Sequence, residues 1–188
     1  MRRGFKTEAE RAAISARRAL KQAPDAAFDP WAYAKHRGVW VMDPDTLGIP
    51  EHARKQLFVT DYESWSALTL KEGDTIAIVM NTKHALTRQA NDLAHEMAHL
   101  DLHHLPNRVE VSKTGLMLLS DYSDEQEQEA DWYAGALLLP RDALAAARRR
   151  QHSVAQIAKY FKVSEKLCDW RIRMTGVDVQ ISRSRRAS

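Results

Sequence analysis

The chain has a single cysteine, Cys168, among 188 residues, so no disulfide can close within it. A lone thiol fits a reducing compartment, and a cytoplasmic location is the expectation. Cys168 falls on an amphipathic stretch and reads as a small core residue. No apolar run reaches the length of a membrane span, so no membrane partner is expected. The N-terminus is basic but lacks the apolar stretch of a signal peptide, and secretion by that route is not expected. Repeats and low-complexity linkers are also missing. The length suits one domain with a core of ordinary size and at most a small appendage.

Charge is present but uneven. The net value is +3, and residues 1–37 carry nine Lys/Arg against four acids. Arg183, Arg185 and Arg186 add a basic C-terminal stretch that has no core formers. Such a surface attracts nucleic acid. Charge runs are more often solvated faces, so nucleic acid is a possible partner and not the favoured one. Thr7 and Glu10 form a capping box, which predicts a helix to about Lys21.

One segment spells out a chemistry: His95-Glu96-Met97-Ala98-His99. Histidines four apart on a helix lie one above the other, about 5–6 Å apart at Cβ. Both imidazoles can then reach one zinc ion at about 2.0–2.1 Å. Glu96, one step round, is placed to take a proton from water activated there, which makes it the candidate catalytic base. The surrounding residues support a helix. Leu86, Leu93, Ala94, Met97, Ala98, Leu100 and Leu102 have helical apolar spacing, Thr87 is a candidate N-cap, and Pro106 stops the run.

A zinc site needs a third protein ligand. His103 and His104 are near but off register. A stronger candidate region lies at 121–131, which holds six acids and no Lys or Arg. Ser123 with Gln126 forms a capping box, and acids near a helix start suit its dipole. That explanation suffices for Glu125. Glu127 and Asp131 are i,i+4 and share a stripe with Ala134 and Leu138, so they are expected to point inward, where a cation would balance them. Glu127 can bind the metal, and Asp131 can orient a ligand imidazole through its far nitrogen. Glu129 heads a similar stripe with Trp132 and Ala136, and periodicity leaves it open.

The combination Arg88, His95-Glu96-Met97-Ala98-His99, His103, then Glu127 to Ala134, then Leu137 to Pro140 resembles the ImmA/IrrE family of metallo-endopeptidases. Asp29 to Ala32, Gly38 to Val41, Ile76 to Asn81 and Ser153 to Ser164 extend the likeness to about residues 28–177. Two departures, Met97-Ala98 and Trp132-Tyr133, touch no proposed ligand. The resemblance implies a zincin-like fold, one zinc ion, and a glutamate ligand four residues before an Asp or Asn, which selects Glu127. It also implies a protein substrate: family members cleave helix-turn-helix transcriptional repressors of mobile elements or stress-response loci.

A coarse reading gives an α+β body with a small, mostly antiparallel sheet beside helices. Expected elements are a short helix from Pro30 to Gly38, a strand at 39–42, a helix at 50–57 and a hairpin of 66–70 with 75–80. The zinc helix follows, then a loop over 105–122, the Glu127 helix and a helix at 141–150. Ser153 and Ser164 cap two further helices in a helix-turn-helix-like pair. The expected divisions are a basic helix or arm at 1–27, the metallopeptidase core at 28–150, the pair at 151–177 packed on the core, and a mobile basic tail at 178–188. Two functions follow. One is a zinc endopeptidase held together by His95, His99 and Glu127, with Glu96 as base and Asp131 in support. Tyr62, His84, Arg88, Tyr122 and Tyr133 are then unranked candidates for stabilising the oxyanion. The other is a DNA-binding regulator using residues 153–174, with a structural or vestigial metal site. An intact Glu96 speaks against it, because a structural site is closed by four ligands and needs no base.

Overall fold

The computed structural model of the protein describes residues 1–48, 50–113 and 115–186. Five strands form one sheet in the order β1-β3-β2-β5-β4. These are β1 (Val39–Met42), β2 (Ala67–Glu72), β3 (Thr75–Met80), β4 (Arg108–Val111) and β5 (Met117–Ser120). Only the β1/β3 pair is parallel, with Val39 opposite Ile76; the other three pairs are antiparallel. The expected β2–β3 hairpin is present and turns at Gly73, whose φ of 56° favours glycine. The expected loop at 105–122 instead contains a second hairpin, β4–β5, which places β5 against β2 with Leu119 opposite Thr69. Its strands are only four residues long, and every β4 residue is exposed. Such strands leave no buried period to read.

Nine helices accompany the sheet among the described residues. α1 (Phe5–Ala19) starts at Gly4 with no side-chain cap, so Thr7 and Glu10 lie inside it and do not form its box. It buries Phe5, Ala9, Ala13 and Ala16. α2 (Pro30–His36) is capped by Asp29, which accepts from the Trp31 and Ala32 N–H groups at 3.0 Å. α3 (Glu51–Lys55) continues into a wider turn to Thr60. α4 (Leu86–Asp101) lies against β2, β3 and α2, and α5 (Asp124–Leu138) is sandwiched between α4 and α1. α6 (Arg141–Arg149), α7 (Val154–Phe161), α8 (Glu165–Thr175) and α9 (Val177–Arg186) complete the chain. Residues expected as a basic tail lie in α9, where Arg148 clasps Asp178 through two bonds of 2.8 Å. Ala187 and Ser188, the end of that expected tail, lie outside the described residues. No helix among the described residues is long and apolar enough to cross a membrane.

The end of α5 is plugged by two buried arginines. A helix leaves its last carbonyls without intrahelical partners, and buried ones need donors. Arg17 of α1 donates Nη2 to the Leu137 oxygen at 2.7 Å, and Arg171 of α8 donates Nε to the Leu139 oxygen at 3.1 Å. Arg171 also pairs with Glu10 of α1, whose other oxygen accepts from the Arg141 N–H. Close approach of α8 to α5 needs Gly135: a Cβ there would meet Arg171 Cδ and the Trp170 ring at 2.9 Å. The helix-turn-helix-like pair buries Ile157, Phe161, Val163, Cys168 and Ile172 in the same core.

Candidate metal centre and active site

Helix α4, which carries both motif histidines, is aimed by the turn before it. Asn81, fully buried at the end of β3, donates Nδ2 to the Tyr62 and Trp65 carbonyls at 2.6 and 3.0 Å. Its Oδ1 accepts the Lys83 N–H at 3.1 Å, and Gln89 ties back to the His84 carbonyl at 2.7 Å. The N-cap is Ala85, with no side-chain bond, so Thr87 is not the cap. Asn81 and Gln89 supply by long-range contacts the order that a capping hydroxyl supplies locally.

Within α4 the histidine spacing does what helical geometry requires. His95 Nε2 and His99 Nε2 face one another at 3.0 Å. Glu127, from the first turns of α5, brings Oε2 to 3.1 Å from His95 Nε2 and Oε1 to 3.8 Å from His99 Nε2. All three residues offer a ligand atom within 4.8 Å of the others. Tetrahedral ligands with bonds of about 2.0–2.1 Å stand roughly 3.3 Å apart, a spacing these separations bracket. Two imidazole nitrogens and a carboxylate facing one point also need a cation between them. Burial would discharge His95, but Asp131 and Glu127 overcome that and push it up to about 10. Burial and the neighbouring His95 charge drive His99 the other way, well below the usual histidine range. The donor set, two imidazoles and a carboxylate at these separations, fits a divalent metal such as zinc.

Each of the two motif histidines is held from behind. Asp131 Oδ1 sits 3.0 Å from His95 Nδ1, which turns the opposite nitrogen toward the cluster. His99 is held by His104, Nδ1 to Nδ1 at 3.0 Å. That contact follows from how α4 ends. His103 adopts a left-handed φ of 54°, His103 N–H bonds the Leu100 carbonyl, and His104 N–H bonds the His99 carbonyl at 3.0 Å. This is a Schellman closure, and it folds His104 back over His99. Behind His104 lies Glu129, 3.7 Å from its Nε2 and held in turn by Arg2 at 2.9 and 3.0 Å. Glu129, which periodicity left open, thus faces Arg2 and His104, while Glu127 faces the two motif histidines. His103 is exposed and outside the cluster.

Glu96 is not part of the three-residue group. Its Oε2 accepts from the Thr69 hydroxyl of β2 at 2.5 Å. Burial raises its pKa above the ordinary value, opposed by Thr69 and by His95. The Tyr122 ring stacks on His99, centroids 3.7 Å apart and 23° from parallel. Burial beside Glu96 and Glu127 pushes its phenol up to about 12.

The other candidate oxyanion donors are engaged elsewhere. Tyr62 bonds Glu63, and buried His84 lies against Asn81 and Asp92. Arg88 reaches Ser66 and Asp92. Tyr133 joins Tyr33 and Arg37 on Asp101, a knot that ties α2, α4 and α5 together. Two contacts to the site escape sequence reading. Thr69 left a faint signal, a polar residue at a buried strand position. His104 left none, because five residues from His99 is no helical neighbour and only the left-handed turn brings it close.

No curated protein and no solved structure matches the chain. A family model does match: the Peptidase M78 model, described as the IrrE N-terminal-like domain, covers residues 35–173, a span that contains the whole sheet and both site helices. The chain belongs to that peptidase family.

Proposed function

We propose that this protein is a zinc-dependent endopeptidase that cleaves a helix-turn-helix transcriptional repressor and so derepresses the genes it controls. The observation that carries the catalytic part is the convergence of His95, His99 and Glu127 within 4.8 Å, beside a second acid, Glu96, that stands outside the group. A fully structural site would be closed by four ligands and would leave such an acid without a task. The repressor substrate rests on the family resemblance.

Zinc, when bound, would supply a Lewis acid that polarises a peptide carbonyl and acidifies water. The chain's own residues supply the rest. His95, His99 and Glu127 would hold the ion. Asp131 and His104 fix the ring orientations of the two histidines through their far nitrogens. Glu96 accepts a proton from the attacking water and delivers it to the leaving amine. Thr69 occupies one oxygen of Glu96 and fixes the carboxylate plane. The raised pKa of Glu96 suits both halves of that task.

The alternative reading, a DNA-binding regulator using residues 153–174, has less support. Arg171, one of its basic side chains, is fully buried against Glu10 and Leu139 and is unavailable to phosphate.

The test uses the full chain and a helix-turn-helix repressor encoded beside it. With zinc, the wild type should make a defined internal cut, read by mass spectrometry. Glu96→Gln should retain zinc and cut nothing. Cleavage that survives Glu96→Gln or thorough chelation would overturn the proposal.

A further inference from the structure

We propose that the Tyr122 hydroxyl donates the hydrogen bond that stabilises the oxyanion formed at the scissile carbonyl. The inference rests on the peptidase reading above and deepens it.

Hydrolysis requires such a donor. Water oxygen bonds the carbonyl carbon, its proton passes to Glu96, and the carbonyl π pair moves onto oxygen. The C–N bond then breaks, the proton on Glu96 goes to the amine nitrogen, the second water proton follows by way of Glu96, and the products are a carboxylate and an ammonium. Charge on the carbonyl oxygen exists only between these two events, so a preorganised donor aimed there lowers the barrier without tightening substrate binding.

Tyr122 meets the requirements by place and by freedom. It directly precedes Ser123, the residue that caps α5, and the residue before it is pinned by the Asn107 N–H on the Asp121 carbonyl at 2.6 Å. Its ring lies flat on His99 at 3.7 Å, so the phenol is held beside the metal centre by a rigid side chain. It has no hydrogen-bond partner among the described residues and is not among the sealed, unpartnered polar atoms. The hydroxyls of Tyr62 and Tyr133 and the side chains of His84 and Arg88 already have partners. Tyr122 is the uncommitted donor at the site.

Tyr122→Phe removes the hydroxyl and keeps the stacked ring. The zinc-loaded full chain and this variant are compared on β-casein and on the helix-turn-helix repressor encoded beside it. Zinc content and the absorption spectrum of the cobalt-substituted protein should match the wild type. The kcat should fall roughly 10²–10³-fold, the usual loss for one such donor, with KM within about twofold. A phosphinic peptide copying the cut site, which carries the tetrahedral oxyanion, should bind the variant about 10²-fold more weakly. Wild-type kcat in Tyr122→Phe would overturn this inference alone. An equal loss of affinity for substrate and phosphinic peptide would also overturn it, since that is uniform binding. A wild type that cuts neither protein would overturn the peptidase reading, and this inference would fall with it.

Discussion

Replacing Arg171 with methionine removes a guanidinium that is fully buried between Glu10 and the end of α5. Methionine fills much of the space, so the cost is electrostatic more than volumetric. The Leu139 carbonyl loses its Arg171 donor, and Glu10 keeps only the Arg141 N–H at 3.0 Å. Breaking a buried pair by removing one partner costs about 3–5 kcal/mol. Glu10 retains one bond and some access to water, so the low end applies, about 3 kcal/mol. In a chain of this length each kcal/mol moves Tm by about 2–4 °C, so Tm should fall by roughly 6–12 °C. Urea unfolding followed by circular dichroism at fixed zinc concentration measures it. Adding Glu10→Gln removes the uncompensated charge and keeps an acceptor for Arg141, so the double variant should recover about 1 kcal/mol or more. An Arg171→Met variant within about 0.5 kcal/mol of the wild type, the range of ordinary surface changes, would refute the reasoning. So would a double variant whose losses simply add.

Gly135→Ala should destabilise by about 1 kcal/mol, because overpacking at roughly 1–3 kcal/mol outweighs a helix-propensity gain of about 1 kcal/mol; a raised Tm would show that α8 yields freely. His103→Gly relieves a left-handed non-glycine residue and should raise Tm by a few degrees with metal content unchanged. His104→Leu should instead loosen zinc retention against a chelator roughly 10–100-fold, and unchanged retention would mean that His99 needs no support from behind. Glu129 is buried, which would raise its pKa, but Arg2 holds it below the ordinary carboxylate value. Its contribution is therefore fully present above the unfolded value of about 4.5 and lost as pH falls through the lower folded value. Arg2→Ala should weaken the protein at pH 7 and narrow the gap between pH 7 and pH 3 in urea unfolding; parallel curves for the two proteins would contradict the contact.

Much of the site was legible because it is built from helical periods. His95, Glu96 and His99 lie on one helix, and four-residue spacing alone puts both imidazoles on one face. Glu127 and Asp131 repeat that spacing on α5, but the expected inward turn fails: the Asp131 side chain is 63% exposed and Glu127 44%, and Glu129 is the buried acid of the three. The Ser123 box that begins α5 is strictly local. What escaped is non-local. Thr69 reaches Glu96 from β2, across a separation in sequence that no period encodes. His104 depends on a left-handed residue that is not glycine. The β4–β5 hairpin is short and exposed on β4, so burial leaves no pattern in its letters. Arg17 and Arg171 read as surface charge in a basic chain, yet both are buried because a helix end needs donors.

These arginines explain how a helical pair with no residue in the metal group can still matter to it. Two members of the candidate metal group lie on α4 and the third on α5, so the group stays together only while the two helices keep their register. Asp101 at the end of α4 fixes that register by binding Tyr133 of α5 and Tyr33 and Arg37 beside α2. At the far end of α5, Arg17 from α1 and Arg171 from α8 hold the last carbonyls. A shift of α5 by one residue would move Glu127 by about 1.5 Å along the axis and about 100° around it. It would carry Glu127 off the two imidazoles and strip both arginines of their acceptors at once. Helix α8 therefore acts on the site through the backbone of α5, and Arg171, alone among the basic residues of the pair, is used inside the protein.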